Sequence, residues 1–133
     1  MNPDVKALID FRLAQSEEDL RASEALLEGG FAKAAINRAY YAMFHAANAL
    51  LVSRGVSAAK HSGVLSRIMR DFVKTGALPN EAGRRFMEAF ELRQKADYRD
   101  YWQADETQAR EVLRWAEEFV QQARAVLRSS GAL

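Results

Sequence analysis

A stretch of charged and aromatic residues from Arg93 to Trp102 offers the most chemistry in this sequence. Arg93 presents a planar guanidinium that fits a phosphate group, and Asp97, four residues later, can pair with it or accept a proton. Tyr98 and Tyr101 can stack on nucleobases or seal the end of a helix bundle. The stretch therefore predicts a phosphate-binding site at Arg93, with Tyr101 as a candidate ligand contact.

Four polar residues of the second predicted helix form another candidate site: Asn37, Tyr41, His45 and Asn48. Their spacing places them on one side of a helix, next to its apolar face. This polar stripe indicates either a ligand-binding face or a polar contact, within the core or between subunits. Asn37 and Tyr41 are the residues that we expect to contact a ligand.

A third candidate lies at the start of the third predicted helix, in Lys60-His61-Ser62-Gly63. Unpaired backbone N–H groups at a helix start favour anions, and Lys60 adds positive charge. His61 can donate to a phosphate, transfer a proton near neutral pH, or simply pack at the helix entrance. Because His45 and His61 lack the spacing of a metal-ligand pair and the chain has no Cys, we expect neither a metal nor a cofactor.

Helix signals divide the chain into the elements that must position these residues. Asn2-Pro3-Asp4 suits the start of a first helix, and Gly29-Gly30 suits its end. The third predicted helix has apolar pairs four residues apart: Val64/Leu65, Ile68/Met69 and Phe72/Val73. The pattern predicts an all-α, up-and-down bundle of four to five helices, forming one domain over residues 1–133. The helices are expected at about 2–28, 31–54, 59–74, 81–98 and from 105 onward.

Composition and charge narrow the class of protein. Of the 133 residues, 49% are hydrophobic and 28% are charged, and none is Cys. These values exclude a disordered or disulfide-stabilised protein, and no apolar run approaches the ~20 residues of a membrane span. We therefore expect a cytoplasmic protein. The net charge is +1, but residues 29–80 carry seven basic residues and one acidic residue, which can attract phosphate or serve subunit docking.

The runs NRAYYAMFHAA at 37–47 and ALL at 49–51 resemble the second helix of HEPN domains (higher eukaryotes and prokaryotes nucleotide-binding). The segments KHSGV at 60–64 and RQKADY at 93–98 follow in the order seen in small stand-alone bacterial and archaeal members. The resemblance is strongest over residues 31–101. It implies a helical bundle that forms homodimers and works with a minimal nucleotidyltransferase, often as a toxin–antitoxin module.

Many HEPN proteins are metal-independent ribonucleases, and the resemblance implies a catalytic motif of Arg followed by His after a short spacer. In this chain, Tyr98 stands where the motif has His. A tyrosine with an ordinary pKa near 10 is a poor base at neutral pH, although it can act as an acid or position a phosphate. Asp97 or His61 can accept a proton instead.

Three functions from different classes remain open at this point. The first is a module that binds RNA or a nucleotide together with a nucleotidyltransferase and cuts nothing. The second is a ribonuclease that uses Arg93 with Asp97, Tyr98 or His61. The third is a helical interaction protein in which the polar stripe is only an interface.

Overall fold

The computed structural model describes residues 2–58 and 60–133, and this part of the chain holds five α-helices and no β-strand. The helices are α1 (Pro3–Glu28), α2 (Ala32–Ser53), α3 (His61–Ile68), α4 (Asn80–Tyr98) and α5 (Glu106–Ser129). The predicted all-α bundle is confirmed. Ala59, the predicted start of the third helix, lies outside the described residues. None of the described helices combines the length and the apolar character that crossing a bilayer requires.

Local signals set the helix ends where the sequence indicates them. The Asn2 side chain accepts a hydrogen bond from the Asp4 backbone N–H at 2.7 Å and caps α1. Gly30, at φ 85°, carries the chain out of α1 through a conformation that other residues rarely adopt. Asp105 caps α5 in the same way as Asn2, through the Thr107 N–H at 2.9 Å.

Helix α2 lies at the centre of the bundle and contacts each of the other four helices. Fully buried alanines occupy much of its surface, at positions 35, 39, 42, 46, 47 and 49. Small side chains let neighbouring helices approach closely, and two serines of α1 use this proximity. The hydroxyl of Ser16 donates to the Ala42 carbonyl at 2.9 Å, and that of Ser23 donates to the Ala35 carbonyl at 2.8 Å.

The helix that begins at His61 does not continue as a regular α-helix to Lys74. After Ile68 it widens into a π-helical turn, Met69–Val73, in which the Lys74 N–H donates to the Met69 carbonyl at 2.9 Å. The wider turn has a packing reason, because apolar pairs repeat every four residues here whereas an α-helix turns once in ~3.6 residues. The extra residue keeps Phe72 and Val73 buried beneath α3.

Helix α4 packs tightly against this π-helical turn at Gly83. A Cβ atom at Gly83 would lie 2.6 Å from Met69 Sδ and 2.9 Å from Val73 Cγ2, both closer than real Cβ contacts. Gly83 therefore sets how near α4 sits to the π-helical turn. The candidate site residues of α4, Arg93 and Asp97, follow about three to four turns later along the same helix.

We expect Gly83→Ala to be less stable than Gly63→Ala by about 1–3 kcal/mol, because overpacking outweighs the better helix propensity of alanine. Gly63 is the matched control, since it also lies in a helix but its added Cβ would meet only Ala58 Cβ at an ordinary 3.7 Å. Urea unfolding of both variants measures the difference. Equal stability of the two variants would contradict the tight contact between α4 and the π-helical turn at Gly83.

Candidate functional site

Arg93 on α4 is the centre of a polar network with α2. Its side chain is 14% exposed, and its Nη2 donates to the Tyr41 hydroxyl at 3.1 Å. Its Nε lies 3.1 Å from Asp97 Oδ2 and forms an ion pair, although the alignment is too poor for a hydrogen bond. Asn37 Nδ2 donates to the other oxygen of Asp97 at 3.0 Å. We call these four residues the Arg93 network.

The network joins two sequence regions that were predicted as separate candidates. Asn37 and Tyr41 come from the polar stripe of α2, whereas Arg93 and Asp97 come from the end of α4. The guanidinium carbon of Arg93 also lies 5.5 Å from the centre of the Tyr41 ring and 5.8 Å from that of the Tyr40 ring. These aromatic rings, the hydrogen bond to Tyr41 and the ion pair with Asp97 hold the cation in one position.

His61, at the start of α3, lies beside the Arg93 network. Its Nδ1 is 2.7 Å from the Tyr40 hydroxyl, and its ring stacks on Phe44 with centroids 4.2 Å apart. Burial lowers the pKa of His61, and the positive charge of Arg93 lowers it further. The structure thus brings His61 of the third predicted candidate to the Arg93 network and keeps its imidazole neutral at neutral pH.

Tyr40 is a site residue that the sequence analysis did not select as a candidate. It is fully buried, and burial raises its pKa, so the phenol stays protonated. A buried hydroxyl needs a hydrogen-bond partner, and a tyrosine at a core position is the only sequence signal that could have suggested one. The partner itself, 21 residues away, depends on how α3 packs against α2.

Tyr98, Tyr101 and Lys60 lie apart from the Arg93 network. Tyr98 is 75% exposed and lies in a shallow groove on a different face of α4. Tyr101 is 99% exposed and sits at a positive φ of 63°. Lys60 is exposed and precedes α3 without a side-chain capping bond. Asn48, the last residue of the predicted stripe, donates to the Phe44 carbonyl of its own helix at 3.3 Å.

A second polar cluster lies on the other side of Tyr41, between α1 and α2. Arg38 Nη1 donates to Asp19 Oδ1 at 3.1 Å, and the Arg38 guanidinium carbon lies 4.8 Å from the centre of the Tyr41 ring. His45 Nε2 is 3.6 Å from the other Asp19 oxygen. The sequence interpretation missed Asp19 and Arg38, although Asp19 shares the buried face of α1 with Ser16 and Ser23.

His45 is neutral in spite of the nearby carboxylate. Burial, followed by the positive charges of Arg12 and Arg38, lowers its pKa to about 4. Asp19 does not reverse this effect, because its carboxylate is already paired with Arg38 and because 3.6 Å is too long for a hydrogen bond. Burial also raises the pKa of Asp19, while Arg38 opposes that rise.

An open cleft of about 580 Å³ borders the Arg93 network through Asn37 and Asp97. Phe31, which is 62% exposed, and the half-buried Trp102 both line it, and Lys33 adds a positive charge. Aromatic side chains and a cation beside an arginine that is fixed in position suit the binding of a nucleobase whose phosphate contacts that arginine. Phe31 was not a predicted site residue, because a lone aromatic after Gly29-Gly30 carries no functional signal.

In the part of the chain that the structure describes, no three His, Asp or Glu side chains come together as a set of metal ligands. The groups that the site offers are instead a guanidinium, an amide, two phenols, a carboxylate and an imidazole. These groups can bind an anion by charge and by donated hydrogen bonds.

The neutral state of His45 should make the protein lose stability in weak acid. The unfolded chain binds a proton at His45 below about pH 6.5, whereas the folded chain does so only near pH 4. The free energy of unfolding therefore falls as the pH is lowered through this window, by about 2 kcal/mol between pH 7 and pH 5 from this residue.

Urea unfolding of wild type and His45→Gln at both pH values measures this loss. The variant should lose about 2 kcal/mol less than wild type. Asp19 and His61 titrate in both proteins, so to first order their contributions cancel in the comparison. Parallel losses in the two proteins would show that His45 is protonated in the folded state.

Comparison with known proteins identifies the family. Residues 9–126 match the HEPN domain. A Thermotoga maritima protein named "UPF0332 protein" is 36% identical over 113 residues, covering 85% of this chain and 86% of the relative. Two Methanocaldococcus jannaschii proteins are also similar. The one named "Putative toxin MJ0605" is 34% identical over 96% of this chain and 95% of the relative. The one named "Putative toxin MJ0142" is 40% identical over 65% of this chain and 58% of the relative. The chain belongs to the HEPN domain family.

Proposed function

We propose that this protein binds RNA or a nucleotide at the Arg93 network, as the toxin-type component of a two-component system with a nucleotidyltransferase. The observation that carries the proposal is the partly buried guanidinium of Arg93, held by Tyr41 and Asp97 beside an aromatic cleft. Two similar proteins carry names that include the word toxin, which supports the biological setting.

Arg93 keeps donors free for a phosphate. A guanidinium has five N–H donors, and Arg93 uses one on Nη2 for Tyr41 and directs Nε toward Asp97. Its Nη1 makes no hydrogen bond with any described residue. A phosphate oxygen can therefore accept from Nη1 without displacing Asp97, and the ion pair keeps the guanidinium oriented before the ligand arrives.

A homodimer is the second part of the proposal. Two-fold symmetry would bring two copies of the Arg93 network toward one axis. Two guanidinium groups near an axis repel each other unless an anion or an acid lies between them. Asp97 offsets part of this repulsion in each copy, and the free Nη1 donors of the two Arg93 side chains would suit the negative backbone of RNA.

The nucleotidyltransferase partner follows from family membership rather than from a contact in the structure. Tyr98 supports it, because its side chain is exposed and takes no part in the Arg93 network. An exposed tyrosine on another face of α4 can be modified by a partner without unfolding the bundle.

A metal-independent ribonuclease is the second candidate, and the position of Asp97 beside Arg93 favours it. Cleavage of RNA needs a cation at the phosphate together with groups that accept and donate protons. Arg93 can supply the cation, and Asp97 and His61 lie near it. The two candidates differ in whether the bound RNA is cut.

We expect Arg93→Gln to weaken the binding of labelled single-stranded RNA by about 10- to 100-fold, because a charge-assisted hydrogen bond is lost. Arg110→Gln is the matched control, since Arg110 also forms an i,i+4 ion pair, with Glu106 at 2.8 Å, but lies exposed on α5. Fluorescence anisotropy in EDTA at two salt concentrations measures affinity, and a gel of the same samples detects cleavage.

The outcomes separate the functions. RNA that wild type binds and leaves intact supports the binding module, and RNA that wild type cuts but Arg93→Gln does not selects the ribonuclease. Equal binding by Arg93→Gln and wild type contradicts the Arg93 site. Equal binding combined with loss of the dimer in Asn37→Ala or Tyr41→Ala would select an interaction protein.

The partner claim has its own test. If a neighbouring reading frame encodes a small nucleotidyltransferase, the two proteins produced together should elute as one complex in size-exclusion chromatography. Light scattering would give the stoichiometry, including whether this chain is dimeric on its own. Separate elution of two proteins that are each folded would contradict the partnership.

A further inference from the structure

We propose that His61 is a neutral hydrogen-bond donor to the phosphate at Arg93, and that Tyr40 holds its ring so that Nε2 carries the hydrogen. This inference deepens the proposed function and, for its ligand, rests on it. The state of the His61 ring can be tested without any ligand.

The first step is the buried hydroxyl of Tyr40. This side chain is fully buried, and its hydroxyl contacts His61 Nδ1 at 2.7 Å. The structure shows no other partner for that hydroxyl among the described residues. A buried phenol that donates to nothing loses its hydrogen bond to water without a replacement, so its hydrogen points to Nδ1. An Nδ1 that accepts leaves the hydrogen of the neutral ring on Nε2.

The second step is the cost of charging the ring. In an imidazolium, Nδ1 would donate to the Tyr40 oxygen, and the phenol hydrogen would lose its acceptor. The charged and titratable groups that face His61 are Tyr40, Tyr41 and His45 on α2 and Arg93 on α4. No described carboxylate lies within ion-pair distance of the ring. Burial and Arg93 lower the pKa of His61 in the same direction.

The third step concerns why His61 donates a hydrogen bond through Nε2 but does not transfer that proton. If Nε2 gave up its hydrogen, Tyr40 would have to pass its own hydrogen to Nδ1 and become a buried phenolate. Burial raises the pKa of Tyr40, so this transfer is unfavourable. His61 therefore keeps its hydrogen and shares it with an acceptor. The ring is only partly buried, and Nε2 makes no hydrogen bond with the described residues, so a phosphate oxygen can accept from it.

The tautomer is tested first by long-range ¹H–¹⁵N NMR of the ligand-free protein labelled at its histidine rings. The chain has two histidines, and His45→Gln assigns the remaining signals to His61. We expect the Nε2–H form at pH 7 and a mixture of tautomers in Tyr40→Phe, with a pKa closer to 6.5. An Nδ1–H ring or an imidazolium at pH 7 in the wild type would overturn the inference.

The donor role is tested by RNA affinity in two matched variants. The amide nitrogen of His61→Gln can replace Nε2, whereas that of His61→Asn is shorter and replaces Nδ1. We expect His61→Asn to lose about fivefold to tenfold in affinity, because one neutral hydrogen bond is removed. His61→Gln should lose much less, because its amide nitrogen keeps that hydrogen bond. A histidine that became cationic would raise the affinity for RNA as the pH falls through about 6.5. We expect no such rise, because His61 stays neutral.

The results distinguish this inference from the proposed function. Equal losses in both His61 variants, no loss in either, or a gain in affinity on acidification would overturn the donor role while leaving RNA binding at Arg93 intact. Wild type that binds no RNA would overturn the proposed function and the ligand of His61 together. The NMR result would then still decide how Tyr40 holds the ring.

Discussion

The central position of α2 is the constraint on which the site depends. Because the other four helices all pack against it, several polar side chains of α2 lie at the contacts between helices, which we call seams, and find their partners there. Buried alanines bring those helices close enough for the partners to reach. Asn37 and Tyr41 therefore meet α4, and Arg38 and His45 meet α1.

The two seams repeat the same chemistry on either side of Tyr41. Each contains an aspartate, an arginine and a histidine: Asp19, Arg38 and His45 toward α1, and Asp97, Arg93 and His61 toward α4 and α3. Tyr41 touches both, since its ring faces Arg38 and its hydroxyl accepts from Arg93. Each aspartate offsets one arginine and both histidines are neutral, so neither seam holds a large excess of charge. A ligand at Arg93 would thus be recognised as much by donated hydrogen bonds as by net charge.

Most of the fold could be predicted from the sequence because its signals are local. Capping residues and glycines mark the helix ends, and the i,i+4 spacing of Arg93 and Asp97 predicts their ion pair directly. Helical geometry could also have separated Tyr98 from Arg93, since five residues turn an α-helix by about 500° and leave the two side chains ~140° apart. The contacts of Tyr40 with His61 and of Arg38 with Asp19 could not be predicted, because they depend on how whole helices pack.

The π-helical turn after α3 decides where this segment can change its length. Met69–Val73 holds one residue more than an ordinary α-helical turn, which keeps a repeat of four residues in phase with the core. Removing one residue there would let an α-helical turn form and leave the downstream chain in nearly the same orientation, because five π-helical residues and four α-helical residues turn through similar angles. Removing a residue from the regular helix α3 would instead rotate everything downstream by about 100° and turn Phe72 and Val73 away from the core. The π-helical turn is therefore the place in this segment that should best tolerate the loss of one residue.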